Sequence, residues 1–209
     1  MNVVGKRTGW VVCGALAVLV LAAVTLFAGI WLLAADPLPE ELDVIFTFGG
    51  ERARDAYSAE LVARYPRALW VVSGAVRPAF MAWAASRAID TAGVLYLDTC
   101  SGTWSEVEAL RDVLGTVSGA QGPPVAGLVS GPYHMRRIRI LVGAILGPPS
   151  GRGATIRYLP VPLERYGHTR RGYLLWPFNV RMRRLVFSEL KKSAGALLGY
   201  RDSPLSLNQ

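Results

Sequence analysis

Val125-Ala126-Gly127-Leu128-Val129-Ser130-Gly131-Pro132-Tyr133-His134-Met135-Arg136-Arg137 is the stretch whose reading decides the fold. Its first half is a short apolar run closed by a small polar residue and a glycine, the pattern of a buried strand. Its second half opens a helical pattern, with Pro132 suited to a first turn, where a missing N–H costs nothing. The junction sets the Ser130 hydroxyl, one of the two histidines of the chain and several arginines at the carboxyl end of a strand. In an open α/β sheet ligands bind at such ends, because strand termini and helix N-termini converge there. The plain alternative is an ordinary strand–helix turn with a solvated basic face.

The same alternation runs outward in both directions. Upstream, Asp43 to Phe48 reads as an apolar strand ended by Gly49-Gly50, and Glu51 to Tyr65 as a helix broken at Pro66. Ala68 to Val72 is a second strand closed by Ser73-Gly74, Pro78 to Thr91 a second helix, Gly93 to Leu97 a third strand and Thr103 to Val117 a third helix. Gly119 to Pro124 is a loop before the quoted stretch, whose helix runs to about Leu146. Downstream come a Pro/Gly loop from Gly147 to Gly153, a fifth strand from Thr155 to Pro160, and an amphipathic helix from Arg181 to Leu198, basic along one side. Strands separated by helix-length segments imply right-handed crossovers and a mostly parallel sheet covered on both faces. The fold class is therefore α/β.

The first 35 residues are of another kind. Lys6 and Arg7 precede a run from Trp10 to Ala35 without a single charge. As a helix this run would extend roughly 39 Å, more than the hydrocarbon core of about 30 Å, whereas a secretory signal usually has an apolar stretch of about 7–15 residues. Leu33-Ala34-Ala35 resembles a cleavage site, so a removed signal stays open as an alternative. Trp10 and Trp31 suit interfacial anchors, and Asp36, Glu40, Glu41 and Asp43 follow the run. The positive-inside rule then puts the N-terminus in the cytoplasm and the domain outside. The expected organisation is a cytoplasmic start (1–9), a transmembrane helix (10–35), a stiff linker carrying Pro37 and Pro39 (36–42), the α/β domain (43–200) and a tail (201–209).

Net charge is +8 and unevenly placed. From Asp36 to Ala120 there are 7 basic and 12 acidic side chains; from Gln121 to Gln209 there are 14 basic and 3 acidic. A basic half implies an anionic partner, a phosphate-bearing small molecule or a lipid headgroup. Nucleic acid is the weakest candidate, because no recognition motif accompanies the charge. The two cysteines, Cys13 and Cys100, form no framework and no zinc spacing, so no metal site is expected. Cys100 reads as a small buried apolar residue rather than a nucleophile.

Candidate chemistry gathers at strand ends. The first strand offers Gly49 and Gly50, the second Ser73 and Gly74, and the third Asp98, Cys100, Ser101, Gly102 and Thr103. The fourth offers Ser130, Tyr133, His134 and Arg137. In a parallel sheet these sets meet on one edge. Individually they are weak: there is no G-x-G-x-x-G and no Walker lysine, and Ser101 or Thr103 equally suits a helix N-cap. Glu106 and Glu108 read as one solvated and one helix-dipole residue. Arg52 and Arg54 enter the first helix, where a cation opposes the dipole, and that favours an anion-binding role. Arg136 and Arg139 read as solvent-facing, Arg137 as the site arginine, and His168 as a loop residue.

Phe48-Gly49-Gly50, Arg54, Val71-Val72-Ser73-Gly74, Ser101-Gly102-Thr103 and Val129-Ser130 with Tyr133-His134 and Arg137 together resemble the YdcF/SanA/ElyC family, over about Asp43 to Leu198. The resemblance implies a Rossmann-like α/β domain, often behind one membrane helix in the bacterial inner membrane. It implies a role in the cell envelope: barrier function, vancomycin sensitivity, and peptidoglycan or lipid-carrier metabolism. One cytoplasmic relative binds S-adenosylmethionine. Many members carry Thr-x-Glu-Asn at the start of the third helix; here Thr103-Trp104-Ser105-Glu106 puts Ser105 at the acid's place, which leaves Glu106 or Asp98 to supply a carboxylate.

The resulting expectation is an anchored, extracytoplasmic envelope factor acting on a phosphate-bearing, lipid-linked precursor. Arg54 and Arg137 would hold phosphate through charge-assisted hydrogen bonds. Backbone N–H groups at Gly49, Gly50, Ser73 and Gly74 would add donors, with Ser101, Thr103, Ser130 and Tyr133 lining the site. His134 would be the general acid or base of a phosphoester or pyrophosphate hydrolase or transferase, and Asp98 would orient it or a water. Two alternatives stay open: a non-enzymatic envelope scaffold or regulator using the basic half, and an S-adenosylmethionine- or nucleotide-binding protein. The residues name no particular cofactor.

Overall fold

In the computed structural model, which describes residues 3–74, 76–117, 119, 122–147 and 153–200, five parallel strands form one sheet. The helix α1 (Val3–Leu32) comes first, followed by β1 (Val44–Thr47), α2 (Arg52–Arg64), β2 (Leu69–Ser73), α3 (Arg77–Ala85), β3 (Val94–Leu97) and α4 (Thr103–Thr116). Then come β4 (Val125–Ser130), α5 (Met135–Leu146), β5 (Thr155–Pro160), a 3-10 turn at Leu163–Tyr166, α6 (Arg170–Leu174), a second 3-10 turn at Trp176–Phe178, and α7 (Val180–Leu197). The proposed tail 201–209 lies outside the described residues, as do parts of the two loops around 119–124 and 147–153.

The strand order is β3-β2-β1-β4-β5, with Val44 opposite Leu69 on one side and Ala126 on the other. The chain winds outward from β1 to β3, then crosses back to β4 beside β1. That reversal leaves a crevice at the carboxyl ends of β1 and β4, the place where open α/β sheets bind ligands. The arrangement is Rossmann-like, and both faces are covered. Val44, Phe46, Val71, Ala126 and Leu128 point to one face and pack against Val107, Leu110, Ile138 and Leu141 of α4 and α5. Ile45, Trp70, Val72 and Val129 point to the other and meet Leu61 of α2 and Phe80 and Ala84 of α3. Two-residue alternation along each strand is what sends neighbours to opposite cores.

Three local readings are corrected. The second helix ends at Ala85 rather than Thr91, because Ser86 Oγ bonds back to the Trp83 carbonyl and Ala88 turns to φ 52°. Pro132 lies in a turn closed by His134 N–H to Gly131 O at 3.0 Å; the helix starts at Met135. Arg136 does not face solvent. Its Nε donates to Trp31 O at 2.6 Å and its guanidinium lies over the Trp31 ring, so it caps the carbonyl end of α1.

The first helix is long and apolar enough to cross a membrane over Val12–Leu32. By 1.5 Å per residue that stretch covers about 32 Å, against a core of about 30 Å. Its last turn is not a free tether. Leu32 is wholly buried in a third core with Leu163, Tyr173, Trp176, Met182 and Val186. The linker is laid on the sheet edge: Asp36 N–H donates to Tyr158 O at 2.8 Å, and Asp36 Oδ2 accepts from Tyr158 N–H at 2.9 Å. Further along, Pro39 O accepts from the Tyr65 hydroxyl at 2.6 Å.

Candidate functional site

The carboxyl edge of β1 and β2 is drawn together by glycine. A Cβ on Gly49 would lie 2.8 Å from Ser73 O and 3.0 Å from Gly74 Cα, so the two loops touch backbone to backbone. Into this junction reaches Glu106 from the first turn of α4. Its Oε1 accepts from Gly49 N–H at 2.7 Å and lies 2.6 Å from Ser73 Oγ, which also reaches Thr47 O at 3.0 Å. Glu106 is thus neither solvated nor a dipole ornament. It is a buried carboxyl held as a bound anion would be, and burial pushes its pKa up despite the Ser73 and Gly49 hydrogen bonds and the nearby Arg54 and Arg137 charges.

Glycine also makes room for Arg54. A Cβ on Gly50 would sit 2.9 Å from its guanidinium, which folds back from α2 and donates to the carbonyls of Phe48 and Gly49. The backbone donors expected to serve a ligand are partly spent within the protein. Gly49 N–H goes to Glu106, and Gly74 N–H donates to Leu97 O at 3.1 Å.

The β4 side carries a second cluster. His134, at the N-cap of α5 with its side chain 20% exposed, has Nδ1 2.9 Å from Glu189 Oε2 on α7. Arg137 Nε is 3.5 Å from the same oxygen, and Lys192 Nζ is 3.4 Å from Glu189 Oε1. Burial raises the Glu189 pKa, but His134, Arg137 and Lys192 outweigh it and bring it down to about 2. His134 moves down from 6.5, because desolvation outweighs the attraction of Glu189. Glu189 Oε2 lies 2.9 Å from His134 Nδ1 but makes no aligned hydrogen bond among the described residues, and Arg137 Nη2 stands 3.4 Å from the same nitrogen. Carboxylate and guanidinium thus hold the ring from its Nδ1 side, as in a base–orienter pair.

Between the clusters, Ser130 Oγ is buried with no hydrogen-bond partner among the described residues. Tyr133 is buried over the His134 ring at 4.9 Å and reaches Glu51 Oε2 at 3.4 Å, with its pKa raised by burial. The fields of Arg54 and Arg137 act on both Glu106 and His134, so both clusters share one electrostatic site.

Of the residues read from the sequence, Gly49, Gly50, Arg54, Ser73, Gly74, Ser130, Tyr133, His134 and Arg137 belong to this edge. Thr103 is buried at the start of α4. Ser101 is exposed, and its N–H donates to Ser105 Oγ at 3.0 Å, as does Gly102 N–H at 3.2 Å. Ser105 therefore closes the loop around the Gly102 N-cap, and neither Ser101 nor Thr103 is that cap. Asp98 is exposed beyond β3, three strand spacings or about 14 Å from β4. The orienting place beside His134 belongs to Glu189 instead.

Cys100 is half-buried, and burial followed by the Glu106 charge pushes its thiol up to about 11, which keeps it protonated. Among the described residues no group of three histidine, cysteine or carboxylate side chains could hold a metal ion. A mostly apolar groove of about 330 Å³ adjoins the site, lined by Leu33, Ala34, Pro132, Val161 and Leu163 together with Glu164, where the end of α1 meets the carboxyl edge of β4 and β5.

Sequence reasoning missed Glu189. Its signal was available: Met182, Val186, Glu189, Ser193 and Ala196 share the buried stripe of α7, and a carboxylate on that stripe must find cations. Compared with known families, curated proteins and solved structures, the chain finds no matching family model, no matching curated protein and no matching solved structure.

Proposed function

We propose that this chain is a membrane-anchored cell-envelope factor of the YdcF/SanA/ElyC kind. On this reading it acts on a phosphate-bearing, lipid-linked precursor at the bilayer surface. The observation that carries the proposal is the meeting of α1 with the carboxyl edge of the sheet. Arg136 caps the end of α1 at Trp31, while the adjacent Arg137 and His134 face Glu189. The site is thereby held close to where the apolar helix ends, within reach of a headgroup that cannot leave the membrane. The apolar groove beside Pro132 suits the non-polar part of such a molecule. A removed signal fits poorly, since cleavage after Ala35 would strip Leu32 from the third core.

The chemistry that fits is hydrolysis or transfer at phosphorus. The two carboxyl groups are pushed in opposite directions, Glu106 up, as suits a proton donor, and Glu189 down, as suits the fixed anion beside the His134 base. Arg54 and Arg137 neutralise phosphate oxygens, His134 accepts a proton from water or an acceptor hydroxyl, and Glu106, whose carboxyl is biased by burial towards the protonated form, returns one to the leaving oxygen. Arg54 must release the Phe48 and Gly49 carbonyls to do so.

That requirement favours a second reading. A site whose arginines and carboxylates already satisfy one another also suits a non-catalytic envelope regulator. Both readings are tested by expressing His134→Ala and Glu106→Gln at normal levels in a deletion strain and profiling its lipid-linked precursors. Catalysis predicts that each variant accumulates the same precursor as the deletion and restores less than a tenth of barrier function. Full restoration by both would leave only the regulator.

A further inference from the structure

We propose that the segment from α6 through the first half of α7 is itself immersed in the leaflet at which α1 ends, making the domain a membrane-embedded body rather than one hung from a tether. The inference rests on the membrane-anchored reading of α1 but not on any chemistry at the site. Depth is set by contact. Trp176 packs so closely on α1 that a Cβ on Gly29 would run into its indole Nε1, and the Tyr173 hydroxyl donates to Gly29 O at 3.0 Å. Gly29 lies three residues before the end of the apolar stretch, about 4.5 Å back along the helix. A side chain fixed against Gly29 shares its depth, which is inside the apolar layer when Val12–Leu32 fills it.

The surface at that depth is built for lipid. Phe178 is 84% exposed and Phe187 61% exposed, and Leu174, Leu175 and Val180 are exposed beside them. Phe187 stands edge-on to the Trp176 ring at 5.5 Å, so the exposed aromatic continues the contact with α1 rather than lying elsewhere on α7. These side chains would face water at a cost of about 1.5–3 kcal/mol each if no apolar medium covered them. Arg171, Arg181, Arg183 and Arg184 are exposed among them, positioned to carry apolar stems into the layer and guanidinium heads out to headgroup phosphates. The occupant is the bilayer, identified by continuity with α1 and by this pairing of exposed rings with cations.

The test places single spin labels on the full chain, with Cys13 and Cys100 changed to serine, in nanodiscs containing phosphatidylglycerol. Labels go to Leu19→Cys in α1, Phe178→Cys, Phe187→Cys, and Arg67→Cys at the opposite, amino edge of the sheet. Immersion predicts that positions 178 and 187 resemble position 19, with oxygen accessibility exceeding that of a water-soluble nickel chelate by several-fold, while position 67 shows the reverse. Positions 178 and 187 resembling 67 while 19 remains in lipid would overturn the inference and leave the anchor intact. A water-exposed position 19 would overturn both.

Discussion

Glu106 on α4 and Glu189 on α7 come from helices packed on the same face of the sheet, are both buried, and end in opposite states. Around Glu106 the donors are neutral, a backbone N–H and a serine hydroxyl, while Arg54 spends its hydrogen bonds on the Phe48 and Gly49 carbonyls. Desolvation wins there and the carboxyl is pushed towards its neutral form. Around Glu189 the partners are His134, Arg137 and Lys192, and cations win over desolvation. Burial alone therefore assigns no role to a carboxylate; the charge state of its first neighbours does. The β1–β2 half of the site is a backbone cradle, and the β4–α5–α7 half is an ion network.

The network half should break hardest. Replacing Glu189 with Gln leaves Arg137 buried against a neutral group, and the loss of a partner from a buried pair costs about 3–5 kcal/mol. Its pH signature has a definite sign. A depressed carboxylate stabilises the fold above its unfolded value of 4.5, and that stabilisation is lost as pH falls from there towards about 2. Denaturant unfolding of the full chain in detergent should show wild type weakening over this acid range, with the Glu189→Gln chain already weak at pH 7 and flatter below 4.5. Equal stability of the two chains at pH 7 would mean the network contributes nothing.

The cradle half depends on backbone approach, so it should break less severely and for a different reason. Gly49→Ala inserts a methyl 2.8 Å from Ser73 O, and both sides of that contact are main chain. Overpacking of this kind costs about 1–3 kcal/mol. It should also separate the Gly49 and Ser73 donors from Glu106, so function should fall beyond what lost stability explains. A crystal structure or chemical-shift map of the variant with β1 and β2 unmoved would show that the close approach is not needed.

This division also explains which parts of the molecule were legible in the sequence. The five strands and their parallel sheet follow from short apolar runs separated by helix-length segments, and in β1, β2 and β4 a closing glycine or serine marks the strand end that became the edge; the order β3-β2-β1-β4-β5 is known only from the structure. Gly49, Ser73, Ser130, His134 and Arg137 were readable because each sits at such an end. For Glu189 only its burial was legible, from the stripe it shares with Met182, Val186, Ser193 and Ala196; its partners depend on how α7 packs against α5, a contact with Arg137 that spans 52 residues of sequence. Glu106 was misread for a related reason. The first turn of a helix is a common place for an exposed acid, and only the closeness of the Gly49 and Gly74 backbones shows that this one points inward. Arg136 read as solvent-facing because its partner, the last carbonyls of α1, comes 105 residues earlier.

Glu106→Gln gives the smallest effect on stability and the sharpest separation of fold from function. A raised carboxyl in the native state means that ionisation opposes folding, so its destabilising contribution is absent below 4.5 and grows as pH rises towards the native value. Glutamine keeps an oxygen for the Gly49 N–H and cannot ionise. The variant should thus unfold within about 1 kcal/mol of wild type near pH 4.5 and gain relative to it as pH rises from there, the opposite sign to Glu189→Gln. A glutamine amide nonetheless cannot deliver a proton to a leaving oxygen, so precursor turnover should fall by about 10²-fold or more. Loss of stability that deepens as pH rises would instead show Glu106 to be an ionised structural partner of Arg54, making the two carboxylates alike and removing the distinction on which the acid and base roles rest.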